Sequence, residues 1–352
     1  MQKGIAYGLA SAVLFGISTP VAKILVGSVS PVMLAGLLYA GSGLGLLLVL
    51  VWRRLSPKHL APVSMLRGKE WGWLAGAILL GGVLGPLALM YGLAVTAAST
   101  ASLLLNLEAV FTALIAWFVF RENIDRRIAI GMLAIVAGGV VLASSPGEAT
   151  TVSRGAVFIV AACACWALDN NLTRKTSASD AVLIAGLKGI VAGAANLALA
   201  LLLGQRLPAI GTLIAAGGVG FLGYGVSLVL FVLALRHLGS ARAGAYFSVA
   251  PFFGTVVALL LGDSITWQLM VAGALMISGV WLHVTETHVH EHAHEFMEHG
   301  HAHVHDEHHQ HTHGPDDPSE EPHTHRHRHA PMRHRHPHYP DLHHRHDHSD
   351  AH

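Results

Sequence analysis

The sequence predicts an all-α integral membrane protein: ten transmembrane helices built as two inverted five-helix repeats, followed by a disordered histidine-rich tail. Three observations predict it. Apolar runs of membrane-spanning length recur up to about residue 285, basic residues collect on alternate connections, and the two halves of this region resemble each other. Composition changes at the same boundary. Up to Thr285 there are 17 Lys+Arg against 8 Asp+Glu, and beyond it 5 Arg against 13 acids, so the formal total of +1 hides two opposite objects. A soluble domain of this size would not hold so many long apolar runs.

With about 20 apolar residues per crossing, and Gly, Pro, Ser and charge clusters as breaks, the first five spans fall near 4–26, 31–52, 71–94, 97–120 and 127–144. The second five fall near 155–174, 180–203, 211–235, 240–261 and 266–284. This divides the chain into a first repeat, 1–146, a second, 147–284, and a tail, 285–352. The run at 4–26 is too long for the apolar core of a secretory signal and carries Lys23 near its end, so it reads as the first span. Within it, Ser18-Thr19-Pro20 predicts a helix interruption, because Pro20 removes a backbone hydrogen bond and frees a carbonyl near the outer mouth. Cys163 and Cys165, at i and i+2 of a helix, point to nearly opposite faces, which argues against a disulfide or a shared metal.

Charge then orients the spans. With a cytosolic N-terminus, the inner side holds Lys3, Arg53, Arg54, Lys58, Arg67, Lys69, Arg121, Arg126, Arg127, Arg174, Lys175, Arg236 and Arg242. The outer side holds only Arg154 and Arg206. This asymmetry is the positive-inside pattern, and an even number of spans returns the C-terminus, and the tail, to the cytosol. The expected location is the cytoplasmic membrane.

Laying Gly4 on Gly155 places Phe15-Gly16 on Trp166-Ala167 and Lys23 on Arg174. Further on, Leu107-Glu108-Ala109-Val110-Phe111 answers Val249-Ala250-Pro251-Phe252-Phe253, and Arg121-Glu122 answers Gly262-Asp263 with a one-residue slip. An odd number of spans per half inverts one half relative to the other, an architecture whose substrate site lies near the midplane between the repeats. On these motifs, residues 4–284 resemble the EamA-type branch of the drug/metabolite transporter superfamily, whose fourth helix typically reads Leu-Glu-Pro-Val-Phe, followed about a dozen residues later by Gly-Glu. Ala109 stands where proline is usual, which puts a kink there in question, while Pro251 is placed to break the corresponding helix of the second repeat. The resemblance implies a secondary transporter of small solutes, often outward, with a cavity lined by helices one, three, four, six, eight and nine.

Polar residues inside apolar spans are the candidate site. Glu108 falls at the middle of the fourth span, where an ionised side chain facing lipid costs roughly 2.5–3.5 kcal/mol on insertion scales, so it is expected inside, on a coupling proton, a cationic solute group or an interhelical hydrogen bond. In the sixth span Trp166, Asn170 and Thr173 share one side, and Asp169 pairs with Thr173 at i,i+4. One of these sides is expected to line the pathway. Lys188, two turns into the seventh span, reads as a structural partner of Asp169 or an anion ligand, and Lys23 as an interfacial snorkel. Tyr91, Tyr224 and Tyr246 are candidate cavity hydroxyls, with Tyr246 taken into the site. Strips of small residues, such as Gly81-Gly82, are read as packing faces.

Of 27 histidines, only His59 and His237 precede His283. In the first part of the tail, His288, His290, His292, His294, His299, His301, His303, His305, His308, His309, His311 and His313 are interleaved with acids; the five tail arginines all lie in the second part. Imidazole with carboxylate suits Zn, Ni, Co or Cu, so the acidic half is expected to bind a divalent metal, whereas transport itself needs no cofactor. The tail has almost no aliphatic residues with which to build a core.

These features lead to a secondary transporter, outward-directed, of a small organic metabolite, with the tail as a metal-binding regulator. The alternatives are a divalent-metal (Ni/Co/Zn) efflux transporter whose tail collects ions, and a non-transporting membrane metal sensor or store. No nucleophile set, phosphate loop or catalytic zinc motif stands in the apolar region, so an enzyme is not expected. The expected partners are a small-molecule or ion substrate and the lipid bilayer, with a homodimer as an option and no nucleic acid.

Overall fold

In lipid, a long apolar segment can satisfy its backbone polar groups only within itself, and each of these segments is accordingly helical. The computed structural model describes residues 2–55, 68, 70–120, 126–145, 148–176, 179–285, 288–294, 297–303, 323–329 and 332–338. Among them, nine helical stretches are long and apolar enough to cross a membrane, from Lys3–Val26 to Ala243–Leu260, and a shorter apolar helix over Trp267–Leu282 takes the tenth place. Leu48, Leu133, Val140, Leu202, Leu260 and Trp281 are exposed around the outside, a surface suited to lipid rather than water. The protein is a multi-pass membrane protein.

The first repeat begins with α1 (Gln2–Val26) and α2 (Pro31–Leu55). Its third span joins α3 (Glu70–Ala77) through a π-helical segment, Ile78–Leu84, to α4 (Gly85–Val95). The fourth span is α5 (Ala98–Leu104) followed by α6 (Leu107–Phe120), and the fifth is α7 (Arg126–Ala143). A small antiparallel pair, β1 (Ser144–Ser145) with β2 (Glu148–Val152), leads into the second repeat. There α8 (Arg154–Arg174) and α9 (Ala181–Leu202) precede α10 (Ile210–Val219), a π-helical segment at Gly220–Val226, α11 (Ser227–Phe247), α12 (Ala250–Leu260) and α13 (Trp267–Val284). Helix α11 runs through the connection expected at 236–239, which contains no proline to end it.

The halves interlock as an inverted pair. The two π-helical segments start 142 positions apart, the same separation as Leu107 and Val249. Gly81 lies so close to Asp169 that a Cβ would overlap its carboxylate, and a Cβ at its counterpart Gly223 would fall on the Ser18 side chain. Ser18 is the residue that answers Asp169 when Gly4 is laid on Gly155. Each repeat's third span therefore packs on the other repeat's first span, through glycines that let the backbones approach. The second and seventh spans also meet on small residues, with a Cβ at Gly193 falling among the backbone atoms of Ala40.

Two expectations about helix breaks change. Pro20 does not interrupt α1, which continues from Gln2 to Val26; the Ser18 hydroxyl donates to the Phe15 carbonyl at 2.6 Å and the neighbouring spans hold the helix in line. The fourth span breaks without a proline. Around Asn106 the backbone closes i→i−3 bonds, Asn106 N to Leu103 O at 3.0 Å and Glu108 N to Leu105 O at 3.1 Å, and the Asn106 Nδ2 also donates to Leu103 O at 3.0 Å. In the ninth span Pro251 stands in the first turn of α12, directly after the matching break.

Polar contacts tie the ends. Lys23 Nζ donates to Leu93 O at 2.5 Å, satisfying a carbonyl in the last turn of α4. Asp180 caps α9 by accepting from Val182 N and Leu183 N and pairs with Arg53 at 3.4 Å, joining the second and seventh spans. Asp263 accepts from Ser99 N at 2.7 Å.

The tail forms a unit of its own, Thr287–His352. In it β3 (His288–His294) pairs antiparallel with β6 (Met332–His338), and β4 (Met297–His303) with β5 (His323–His329). Where the composition predicts a chain without regular structure, these four segments pair through their backbones. Of the expected metal ligands, His305, His308, His309, His311 and His313 lie outside the described residues.

Candidate functional site between the repeats

Residues of both repeats line a cavity: Phe15, Tyr39, Glu108, Trp166, Asp169, Asn170, Lys188, Gly223, Tyr224, Ser227, Leu228, Phe231 and Phe247. The walls come from spans one, two, four, six, seven, eight and nine. The second span was not expected, the seventh enters through Lys188 although the resemblance did not imply that helix, and the third supplies no residue to this lining.

The sixth span positions the polar residues. Trp166, Asp169, Asn170 and Thr173 recur at helical spacing along one face of α8, so both sides proposed from the sequence lie together. Asp169 turns toward the seventh span: Lys188 Nζ donates to its Oδ1 at 2.6 Å and its Oδ2 at 2.7 Å, and the Thr173 hydroxyl donates to Oδ1 at 2.9 Å. Lys188 also donates to Thr173 Oγ1 at 3.3 Å. The ion pair is buried, with side-chain exposures of 3% for Lys188 and 9% for Asp169. Asn170 turns the other way and donates from Nδ2 to Glu108 Oε1 at 2.7 Å. Glu108 follows the Asn106 break in the first turn of α6, and this break brings its carboxyl to the cavity wall.

The π-helical segment of the third span completes the support. Its wider turn exposes backbone carbonyls to side chains. Gly81 O accepts from Tyr39 OH at 2.6 Å and from Trp166 Nε1 at 3.0 Å, and Gly82 O accepts from Asn196 Nδ2 at 3.1 Å. Aromatic rings form the remaining walls. Phe15 meets Trp166 edge-on with centroids 5.7 Å apart, Tyr224 at 5.8 Å and Phe247 at 5.4 Å. Phe15 and Trp166 are repeat counterparts, so they meet where the two halves face each other. The chemistry is less symmetric than the fold: Asp169 answers Ser18, and Glu108 answers Ala250.

Glu108, Trp166, Asp169, Asn170 and Lys188 are thus brought together, with Thr173 as a hydrogen-bond partner just behind the wall. Tyr246 is not in the lining; it packs toward Gly8 of α1. Tyr91 is 42% exposed and stacks on Phe158. Tyr39, Phe15 and Phe247 enter the lining without having been singled out as site residues. An aromatic in an apolar helix reads like any packing residue, and only the repeat alignment of Phe15 with Trp166 hinted at a shared place. Among the described residues, no group of three or more His, Cys, Asp or Glu is placed to hold a metal ion.

Two interlocked five-helix repeats with a polar and aromatic cavity between them define an inverted-repeat membrane transporter. The model of the EamA-like transporter family matches residues 2–144 and again 153–285, and the chain belongs to that family, within the drug/metabolite transporter superfamily. An uncharacterized transporter of Methanothermobacter thermautotrophicus is 29% identical over 293 residues, covering 78% of this chain and 84% of its own. Another uncharacterized transporter, YyaM of Bacillus subtilis, is 22% identical over 276 residues, covering 75% of this chain and 88% of its own. A solved crystal structure superposes with a TM-score of 0.60 over 79% of this chain and 94% of that one, at 18% identity, a likeness in fold alone.

Proposed function

We propose that the protein is a secondary transporter that moves a small organic metabolite outward across the cytoplasmic membrane, both termini lying in the cytosol, with the histidine-rich tail as a metal-binding regulator. The observation that carries this reading is Glu108, a carboxyl at the wall of a cavity built from both repeats and held there by neutral Asn170. An acidic group at mid-membrane is costly unless it serves a pathway or is paired, and Glu108 makes no ion pair among the described residues. Aromatic walls favour an organic solute over a bare ion, since a divalent metal would need several hard or nitrogen ligands converging on one point. The thirteen inner basic residues against two outer ones support the orientation.

The regulatory role of the tail rests on the alternation of imidazole with carboxylate from His288 to His313. The test is uptake into proteoliposomes with a panel of metabolites and divalent metals, using the full chain and a chain ending at Thr285, each with and without a pH gradient. Flux of an organic solute by both proteins, altered by Zn or Ni only for the full chain, is the expected result. Metal flux that requires the tail would replace this reading with metal efflux. No flux of anything would leave a sensor or store.

A further inference from the structure

We infer that the cavity binds an organic monocation with an aromatic or apolar body: an amine, in preference to a zwitterionic amino acid or an organic acid. The inference deepens the transporter reading, on which it rests only for the claim that the bound amine is cargo.

Charge decides the class. A Lys ammonium has three N–H donors, and Lys188 spends them on Asp169 Oδ1, Asp169 Oδ2 and Thr173 Oγ1, so it keeps none for a substrate carboxylate. Asp169 is neutralised by the same contacts. Glu108, in contrast, is met among the described residues by a neutral amide on Oε1 and by no cation. When Glu108 is ionised, the lining therefore carries one acidic charge in excess, its one cation, Lys188, being already paired with Asp169. A carboxylate entering here meets like charge and finds no donor of opposite sign, whereas an ammonium meets Glu108 directly.

The walls favour the same class. Phe15 adjoins both Trp166 and Tyr224 in the lining that holds Glu108, and ring faces attract a desolvated cation. Tyr224 is 6% exposed and lines the cavity beside Phe15.

The test uses three probes with the same phenyl body: phenethylamine, phenylalanine and phenylacetate. Binding to the purified full chain in lipid nanodiscs is measured by calorimetry, and flux of the same probes in proteoliposomes. Phenethylamine is expected to bind at least about tenfold more tightly than the other two. Glu108→Gln should weaken it by about tenfold or more, the range for a hydrogen bond to a charged group, and Glu108→Asp should recover part of the loss. Equal or tighter binding of phenylalanine or phenylacetate overturns the inference, as does binding of none of the three, or phenethylamine binding unchanged by Glu108→Gln. Phenethylamine bound but not moved upholds the site and removes the amine as cargo, whereas phenylalanine bound and moved upholds the transporter reading and overturns the inference.

Discussion

Lys188 and Asp169 form a two-pronged ion pair inside the membrane-spanning body, the ammonium 2.6 and 2.7 Å from the two carboxylate oxygens. It joins the sixth span to the seventh at the edge of the cavity. Such a pair is worth little compared with a well-packed apolar substitute, but removing one partner strands a buried charge. Asp169→Asn or Lys188→Met alone should therefore lower unfolding stability by about 3–5 kcal/mol. The double replacement Asp169→Leu with Lys188→Met should recover most of that loss. Unfolding in detergent, followed by tryptophan fluorescence, reads the difference, and single variants as stable as the parent would remove the pair from the account.

Gly81 makes that pair possible. A methyl group at this position would fall on the Asp169 carboxylate, while one at Gly72, in the same span, would meet nothing within 4 Å. Gly81→Ala should lower stability by an amount near that of Asp169→Asn, and Gly72→Ala should stay within about 0.5 kcal/mol of the parent. Thermal unfolding of the two variants side by side is sufficient. Equal effects would mean that the close approach of the third and sixth spans does not matter.

The break at Asn106 should tolerate what a continuous helix cannot. Ala109 lies in the first turn of α6, at the place Pro251 occupies in the second repeat. Ala109→Pro is expected to cost about 1 kcal/mol or less, and Ala113→Pro, one turn further on, about 3 kcal/mol or more. Folded yield and melting temperature measure both. A large loss from Ala109→Pro would show that the turn depends on the Ala109 N to Asn106 O bond, 3.2 Å long.

The two parts of the tail should differ in metal affinity. Each has twelve histidines, but the five tail arginines lie in the second. Replacing the histidines from His288 to His313 by alanine in the full chain should remove most Zn or Ni binding at pH 7, and replacing those from His323 onward should remove less. Binding should also weaken as pH falls below about 6.5, because protonated imidazole cannot ligate. Calorimetry at pH 7.5 and 5.5 tests both statements.

The spans were legible because lipid permits so few backbone solutions: the helix Arg126–Ala143 lies within a residue of the stretch expected from composition alone. Glu108 and Asp169 were legible because a carboxyl in an apolar helix has few innocuous explanations. The rest of the site was hidden for a physical reason. Helices that are apolar around their whole circumference carry no periodic signal of which face turns inward, so Tyr39 and Phe247 could not be told from lipid-facing aromatics such as Phe118. The two π-helical segments left no mark beyond the glycines at Gly81, Gly82, Gly220 and Gly223, which read as packing strips. The break in the fourth span was sought at a missing proline and is made instead by Asn106, whose amide satisfies a carbonyl of the interrupted helix. Pro20, the strongest breaker in the first span, is absorbed by its surroundings.

The central claim is that solute passes the carboxyl of Glu108. The most direct test is flux of a transported organic solute into proteoliposomes by the parent protein and by Glu108→Gln, at matched, folded protein content. The account predicts robust flux by the parent and a loss of about tenfold or more in the variant, in line with removing a charge-assisted contact. Full flux by Glu108→Gln would contradict it.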